Sequence, residues 1–130
     1  TDATTLKPTF SNFYPAATTP ANSEDVTAFV NDDPFQEYII SSDATLGGTL
    51  ALRKSKIGLT YATTAAAGST TTGKSSVELG ISTAATTAKQ LRVVRVAEDP
   101  ENEDQTAANC SLVVKVNLHQ YTVGSLATGI

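Results

Sequence analysis

From Cys110 to His119 the chain reads C-S-L-V-V-K-V-N-L-H, and its apolar and polar residues alternate. Leu112, Val114, Val116 and Leu118 fall on one parity, with Ser111, Lys115, Asn117 and His119 on the other and Val113 as the exception. A period of two means a strand with one face on a core and one in water. A slip of one residue would turn the whole apolar set outward, so the stretch demands partner strands in a fixed register. Phe35–Ser41 and Gln90–Ala97 read as further strands, the second with valines on both faces, as expected of a central strand. Ala/Thr loops at 82–88 and an acidic turn at 98–108 with Pro100 separate these runs, and no long helical pattern appears. The pattern predicts an all-β protein, an antiparallel sheet, meander or sandwich of about six strands.

Thr49–Ile81 is the stretch around which the rest is arranged. Ile57/Leu59/Tyr61 and Val77/Leu79/Ile81 alternate on either side of a loop of Ala, Thr, Ser and Gly, which predicts a β-hairpin with a long connection. Upstream, Leu50 and Leu52 share one face of a strand, on the opposite parity from Ile57, so a bulge or bend is expected at Arg53–Lys56. Inside the loop, Gly68, Gly73, Lys74 and Ser75 match the phosphate-loop spacing. A working phosphate loop needs a buried strand before the first Gly and a helix starting at the Lys-Ser, so that backbone donors and the helix dipole meet the phosphates. Here A-T-T-A-A-A precedes Gly68, and S-V-E-L-G-I, with strand alternation, follows Ser75. The match reads as a chance product of a Gly/Ser/Thr-rich loop, and Lys74 as a solvated residue.

Residues 1–34 read as an extended N-terminal arm and 35–130 as one antiparallel β domain. The arm holds four of the five prolines, which remove ladder donors and disfavour helix in the residue before them. Phe10, Phe13 and Tyr14 are aromatic anchors that suit assembly contacts on a surface. Ser23-Glu24-Asp25 fits the cap of a short helix running to Val30, and Val26–Val30 fits a short strand equally well. The tail from Tyr121 to Ile130 is apolar and Gly-punctuated, with an edge strand expected through Val123.

The net charge of −4 is segregated. Residues 1–43 hold seven acids against Lys7, residues 44–95 hold seven bases against Glu78, and residues 96–130 hold five acids against Lys115. Arg53, Lys54 and Lys56 on one strand, with Arg92 and Lys115 on neighbours, are expected to form a basic sheet face that meets phosphates without sequence preference. The overall pI of 4.8 argues against a dedicated nucleic-acid binder, and loops folding acids over the bases is the competing expectation.

No catalytic constellation emerges. His119 is the only His, and Cys110, the only Cys, lies on the other parity of the same strand, so no metal site is expected. No G-x-S-x-G elbow exists. Asn109-Cys110-Ser111 is a formal glycosylation triplet, and Asp32-Asp33 and Glu98-Asp99 read as solvated turns. No cofactor, membrane segment or small-molecule substrate is expected. One Cys allows no intramolecular disulfide, and a start at Thr1 with no Met suits a cytoplasmic product trimmed of its initiator, although a mature secreted form starts the same way.

These features fit a self-assembling structural subunit, a homo-oligomer whose arm and tail find neighbours. The strands L-A-L-R-K-S-K-I-G-L-T-Y and C-S-L-V-V-K-V-N-L-H, within Thr45–Gln120, resemble those of the coat proteins of single-stranded RNA bacteriophages. The resemblance implies a capsid protein made in the host cytoplasm and found in the virion, a dimer-based shell, and RNA against a basic sheet face. That family ends in two helices that clasp the dimer partner, and Tyr121–Ile130 is too short and too Gly-rich to supply them. No RNA-contacting residue is carried over. A phage decoration protein, or a fimbrial or cell-surface β-subunit, is the alternative expectation.

Overall fold

In the computed structural model, residues 8, 10–13, 26–102, 104–119 and 121 are described. The chain divides into two compact units, residues 1–31 with 67–76, and residues 32–66 with 77–130. The protein is mainly sheet with little helix, as the alternation predicts.

The larger unit carries the core. Its main sheet has the order β1-β6-β5-β2, all antiparallel, built from β1 (Glu37–Ser41), β6 (Ser111–Val116), β5 (Leu91–Val96) and β2 (Thr60–Tyr61). A smaller sheet pairs β3 (Thr63–Thr64) with β4 (Glu78–Leu79). Rows of partners set the inner face: Ile40–Leu112–Val96, then Tyr38–Val114–Val93, then Val116–Leu91–Tyr61. Leu112, Val114, Val93 and Tyr61 are fully buried and pack with Leu46, Leu79, Ile81 and Cys110. Each such aliphatic side chain contributes about 1.5–3 kcal/mol on leaving water. β5 is central, as its valines predict, and a register shift between Val93 and Arg95 explains how. The extra residue lets Val93 and Val96 both reach the core while Arg92 and Arg95 stay on the outer face.

Two carboxamides and a carboxylate tie the ladders off. Asn102 donates through Nδ2 to the Ala97 and Ser111 carbonyls at 2.9 and 3.0 Å and accepts the Ser111 N–H at 2.8 Å. It serves as a strand substitute where β5 ends. Asn117 was expected to face water; it is buried, its Nδ2 donating to the Lys89 carbonyl at 3.0 Å and its N–H to the Gln90 carbonyl at 2.8 Å. Asp43 accepts the Ile81 N–H at 2.9 Å and the Thr64 hydroxyl at 3.1 Å, joining the end of β1 to the small sheet.

Several expectations are corrected. Leu50–Lys56 is a helix, α1, where a strand with a bulge was expected. Thr49 caps it by accepting the Leu52 N–H, and its interior is A-L-R-K-S-K, mostly strong helix formers, with Arg53, Lys54 and Lys56 in the last turn against the negative dipole end. The hairpin exists, but its arms are β3 and β4, one step along from Ile57–Tyr61; the chain changes sheets at Ala62 and Tyr61 pairs with Leu91 instead. Leu118 was expected inward and is exposed, because β6 ends at Val116. Val26–Val30 is neither helix nor strand. The Ser23–Asp25 cap and the strand through Val123 lie outside the described residues.

Candidate assembly and nucleic-acid surface

The five basic residues singled out from the sequence fall on two kinds of element. Arg53, Lys54 and Lys56 project from α1, so they do not line a sheet face. Arg92 and Lys115 are cross-strand partners on the outer face of the main sheet, and Glu37 of β1 completes the row. Glu37 is the residue that sequence reasoning missed. Its carboxylate lies 3.7 Å from Lys115 Nζ and 3.7 Å from Arg95 Nη2. One acid thus serves two bases on a half-exposed surface, where each pair is worth at most about 1 kcal/mol. The parity of Phe35–Ser41 held the signal: Glu37 lies opposite Ile40, which packs inward. The same parity puts Ile39 on the outer face of this edge strand, 72% exposed, and Phe35, in the turn that leads into β1, is 78% exposed.

α1 is held at both ends and has no fully buried residue, although Arg53 and Lys56 are half-buried and Arg53 Nε is shielded from solvent. Thr49 caps its start, and the Tyr61 hydroxyl, reaching out of the core, donates to the Lys56 carbonyl at 2.8 Å. Burial pushes the Tyr61 phenol up to about 12. Arg53 donates to the Gly47 carbonyl at 3.3 Å, folding its guanidinium back over the helix entry. None of the seven helical residues is buried, and Leu50 and Leu52 are 57% and 52% exposed.

The smaller unit contains the phosphate-loop string. Among its residues, the Ser69 N–H donates to the Lys74 carbonyl at 3.0 Å and the Gly73 N–H to the Ser69 carbonyl at 2.8 Å. The Thr72 N–H donates to Ser69 Oγ at 3.2 Å. Those donors close the loop on itself instead of facing a ligand. No helix starts at Lys74-Ser75, so the helix-end anion site that the motif requires is not built. Gly73 takes φ +65°, and a Cβ there would collide with the Asn12 carboxamide, which donates to the Thr72 carbonyl at 3.3 Å. Asn12, Phe13, Gly68, Ser69, Gly73 and Lys74 line a depression open to solvent. Phe10 is exposed and Phe13 partly so; Tyr14 lies outside the described residues.

Cys110 is buried, and burial pushes its thiol up, away from the reactive thiolate. His119 accepts the Tyr121 N–H at Nδ1 and packs against that ring at 5.4 Å. Asp104 is held below the usual carboxylate range by the Thr106 hydroxyl and N–H. Among the described residues, no three His, Cys, Asp or Glu side chains converge as metal ligands, and no helix is long and apolar enough to cross a membrane. No protein-family model matches the chain, and no curated protein or solved structure matches it either.

Proposed function

We propose that this chain is a structural subunit that assembles with copies of itself into a viral shell. The observation that carries the reading is the set of large apolar side chains left in water. Ile39 lies on edge strand β1 and Phe35 in the turn before it, Leu50 and Leu52 stand on α1, and Phe10, Phe29 and Val30 are exposed in the segment that precedes β1. Single exposed apolar residues are ordinary; several of them gathered on an edge strand, the turn before it and a proline-rich arm mark surfaces that neighbours cover. The depression beside Gly73 is open to solvent, and the N–H groups of Ser69, Thr72 and Gly73 are spent inside the loop, which supports a scaffold over a ligand-processing site.

Nucleic acid is the second partner in this reading, contacted through Arg53, Lys54, Lys56, Arg92 and Lys115 without sequence preference. Its support is weaker than that for self-association, because Glu37 shares its charge with Lys115 and Arg95 on the sheet face. The test is expression of the full chain in bacteria, followed by a sizing column with absorbance at 260 and 280 nm and electron microscopy of the excluded fraction. Closed particles carrying nuclease-protected RNA support both partners. Empty particles support self-assembly and remove the nucleic acid.

A further inference from the structure

We propose that β1 pairs with β1 of a second copy, antiparallel and centred on Ile39, so that two main sheets join into one across a two-fold axis. This inference rests on the self-assembly reading and names its first contact. The two edges of the main sheet differ. β2 is closed on its outer side, where Thr60 and Ala85 exchange N–H to carbonyl bonds at 3.0 Å. β1 is closed only past its end, where the Asp43 N–H meets the Leu79 carbonyl at 3.0 Å. Among the described residues, no strand pairs with Glu37–Ile40 on the side away from β6. The Ser42 N–H turns to β6 and bonds the Cys110 carbonyl at 3.0 Å. Backbone groups alternate sides along a strand, so those of Tyr38 and Ile40 also turn to β6, and those of Glu37 and Ile39 turn to the open side. There the Gln36 carboxamide donates to the Glu37 carbonyl at 2.9 Å, a side chain covering an acceptor that a strand would take. Both faces of this edge are open as well. Ile39 is 72% exposed, and Tyr38, with the inward parity of Ile40, is still 36% exposed. No proline, lysine or bulge blunts β1.

The strand E-Y-I-I-S selects a second copy as its occupant, because it is complementary to itself. Centred on Ile39, the pairing sets Ile39 against Ile39 on the outer face and Tyr38 against Ile40 twice on the inner face. Apolar surface then meets apolar surface on both sides of the joined sheet. Glu37 falls opposite Ser41, and the two Glu37 carboxylates lie about 14 Å apart along the strands. Each stays with its own Lys115 and Arg95, at 3.7 Å. Moving the centre one residue either way sets Ile39 against Glu37 or Ser41, and centring on Glu37 opposes the two carboxylates directly. Charge and apolar pairing thus agree on one register. The contact is isologous and consumes the open edge of each copy, so pairing stops at two copies. The dimer is then the unit from which the shell is built.

The test uses the full chain and two variants, Ile39→Lys and Ile39→Glu. Position 39 stands in water in the single copy, so either change costs the fold little, and circular dichroism with thermal melting checks this. Five residues a side make a small contact, so sedimentation velocity reads association up to high protein concentration, at low salt. Each variant alone sets like charges opposite one another and is expected to dimerise at least about ten-fold more weakly than the parent. An equimolar mixture is expected to recover, because Lys then faces Glu across the two-fold axis. Recovery on mixing is the decisive readout, since it requires position 39 of one copy to meet position 39 of the other.

Variants that associate like the parent, or a mixture no better than its components, overturn the inference. If the parent forms large particles and both variants do so equally well, this contact fails and the shell reading survives. If the parent stops at a dimer that the variants lose and the mixture restores, the contact stands and the shell reading fails. A parent that is monomeric at every concentration overturns both.

Discussion

The β5–β6 ladder and helix α1 sit in the same unit and are stabilised in opposite ways. The ladder is buried on its inner face, its register fixed by Leu112, Val114, Val93 and Val96, and its end closed by Asn102. α1 has no fully buried residue and is held by local hydrogen bonds, from the Leu52 N–H to Thr49, from Arg53 to the Gly47 carbonyl and from the Tyr61 hydroxyl to Lys56. The difference separates residues that hold the fold from residues that stand on its surface. Substitutions in the ladder are expected to act on stability, and those on the exposed α1 surface to cost the fold little.

The largest effect on that contrast is expected from Leu112→Ala. It empties a fully buried site and costs about 2–5 kcal/mol in chemical denaturation, with a cavity that neighbours only partly fill. Asn102→Ala comes next. It strands the Ser111 N–H and weakens the pairing of the Ala97 and Ser111 carbonyls, for a loss of about 1–3 kcal/mol and faster hydrogen exchange at the Ser111 amide.

Thr49→Ala removes the helix cap and costs about 1 kcal/mol, with exchange accelerated at the Leu52 amide and unchanged along β6. Tyr61→Phe deletes the hydroxyl that holds the Lys56 carbonyl and also costs about 1 kcal/mol near neutral pH. It has a second signature. The folded phenol is pushed up to about 12 from the ordinary 10.0, so the neutral form favours the folded state. That contribution is complete below pH 10 and is lost as pH rises toward 12. The alkaline fall in stability should therefore be shallower in Tyr61→Phe than in the parent. Smallest of all, Lys54→Ala on the exposed helix face is expected to move stability by no more than about 0.5 kcal/mol. A larger loss there would erase the contrast between ladder and helix.

The contrast also sorts what was legible in the sequence. β1, β5 and β6 were readable because one face of each meets the core, and burial imposes a period of two. α1 was not, because a helix that buries no residue carries no periodic apolar signal. The cue that remained was local: Thr49 as a cap before a run of good helix formers, with the bases at its end. Leu50 and Leu52, two apart, imitated strand alternation. Tyr61 was correctly placed inward, but its partner strand was misassigned, since alternation fixes a face and not a neighbour. The bases of the candidate surface were visible by charge. Their separation between α1 and the sheet, and the Glu37 that sits between Lys115 and Arg95, depend on pairing across strands distant in sequence. The flanks of the phosphate-loop string predicted no helix after Lys74; none starts there, and the N–H groups of Ser69, Thr72 and Gly73 bond within the loop.

Sedimentation velocity of the full chain over a wide concentration range tests the central claim most directly. The account predicts mass that grows with concentration toward a closed assembly. A single monomer boundary at every concentration, with the protein folded, would contradict it.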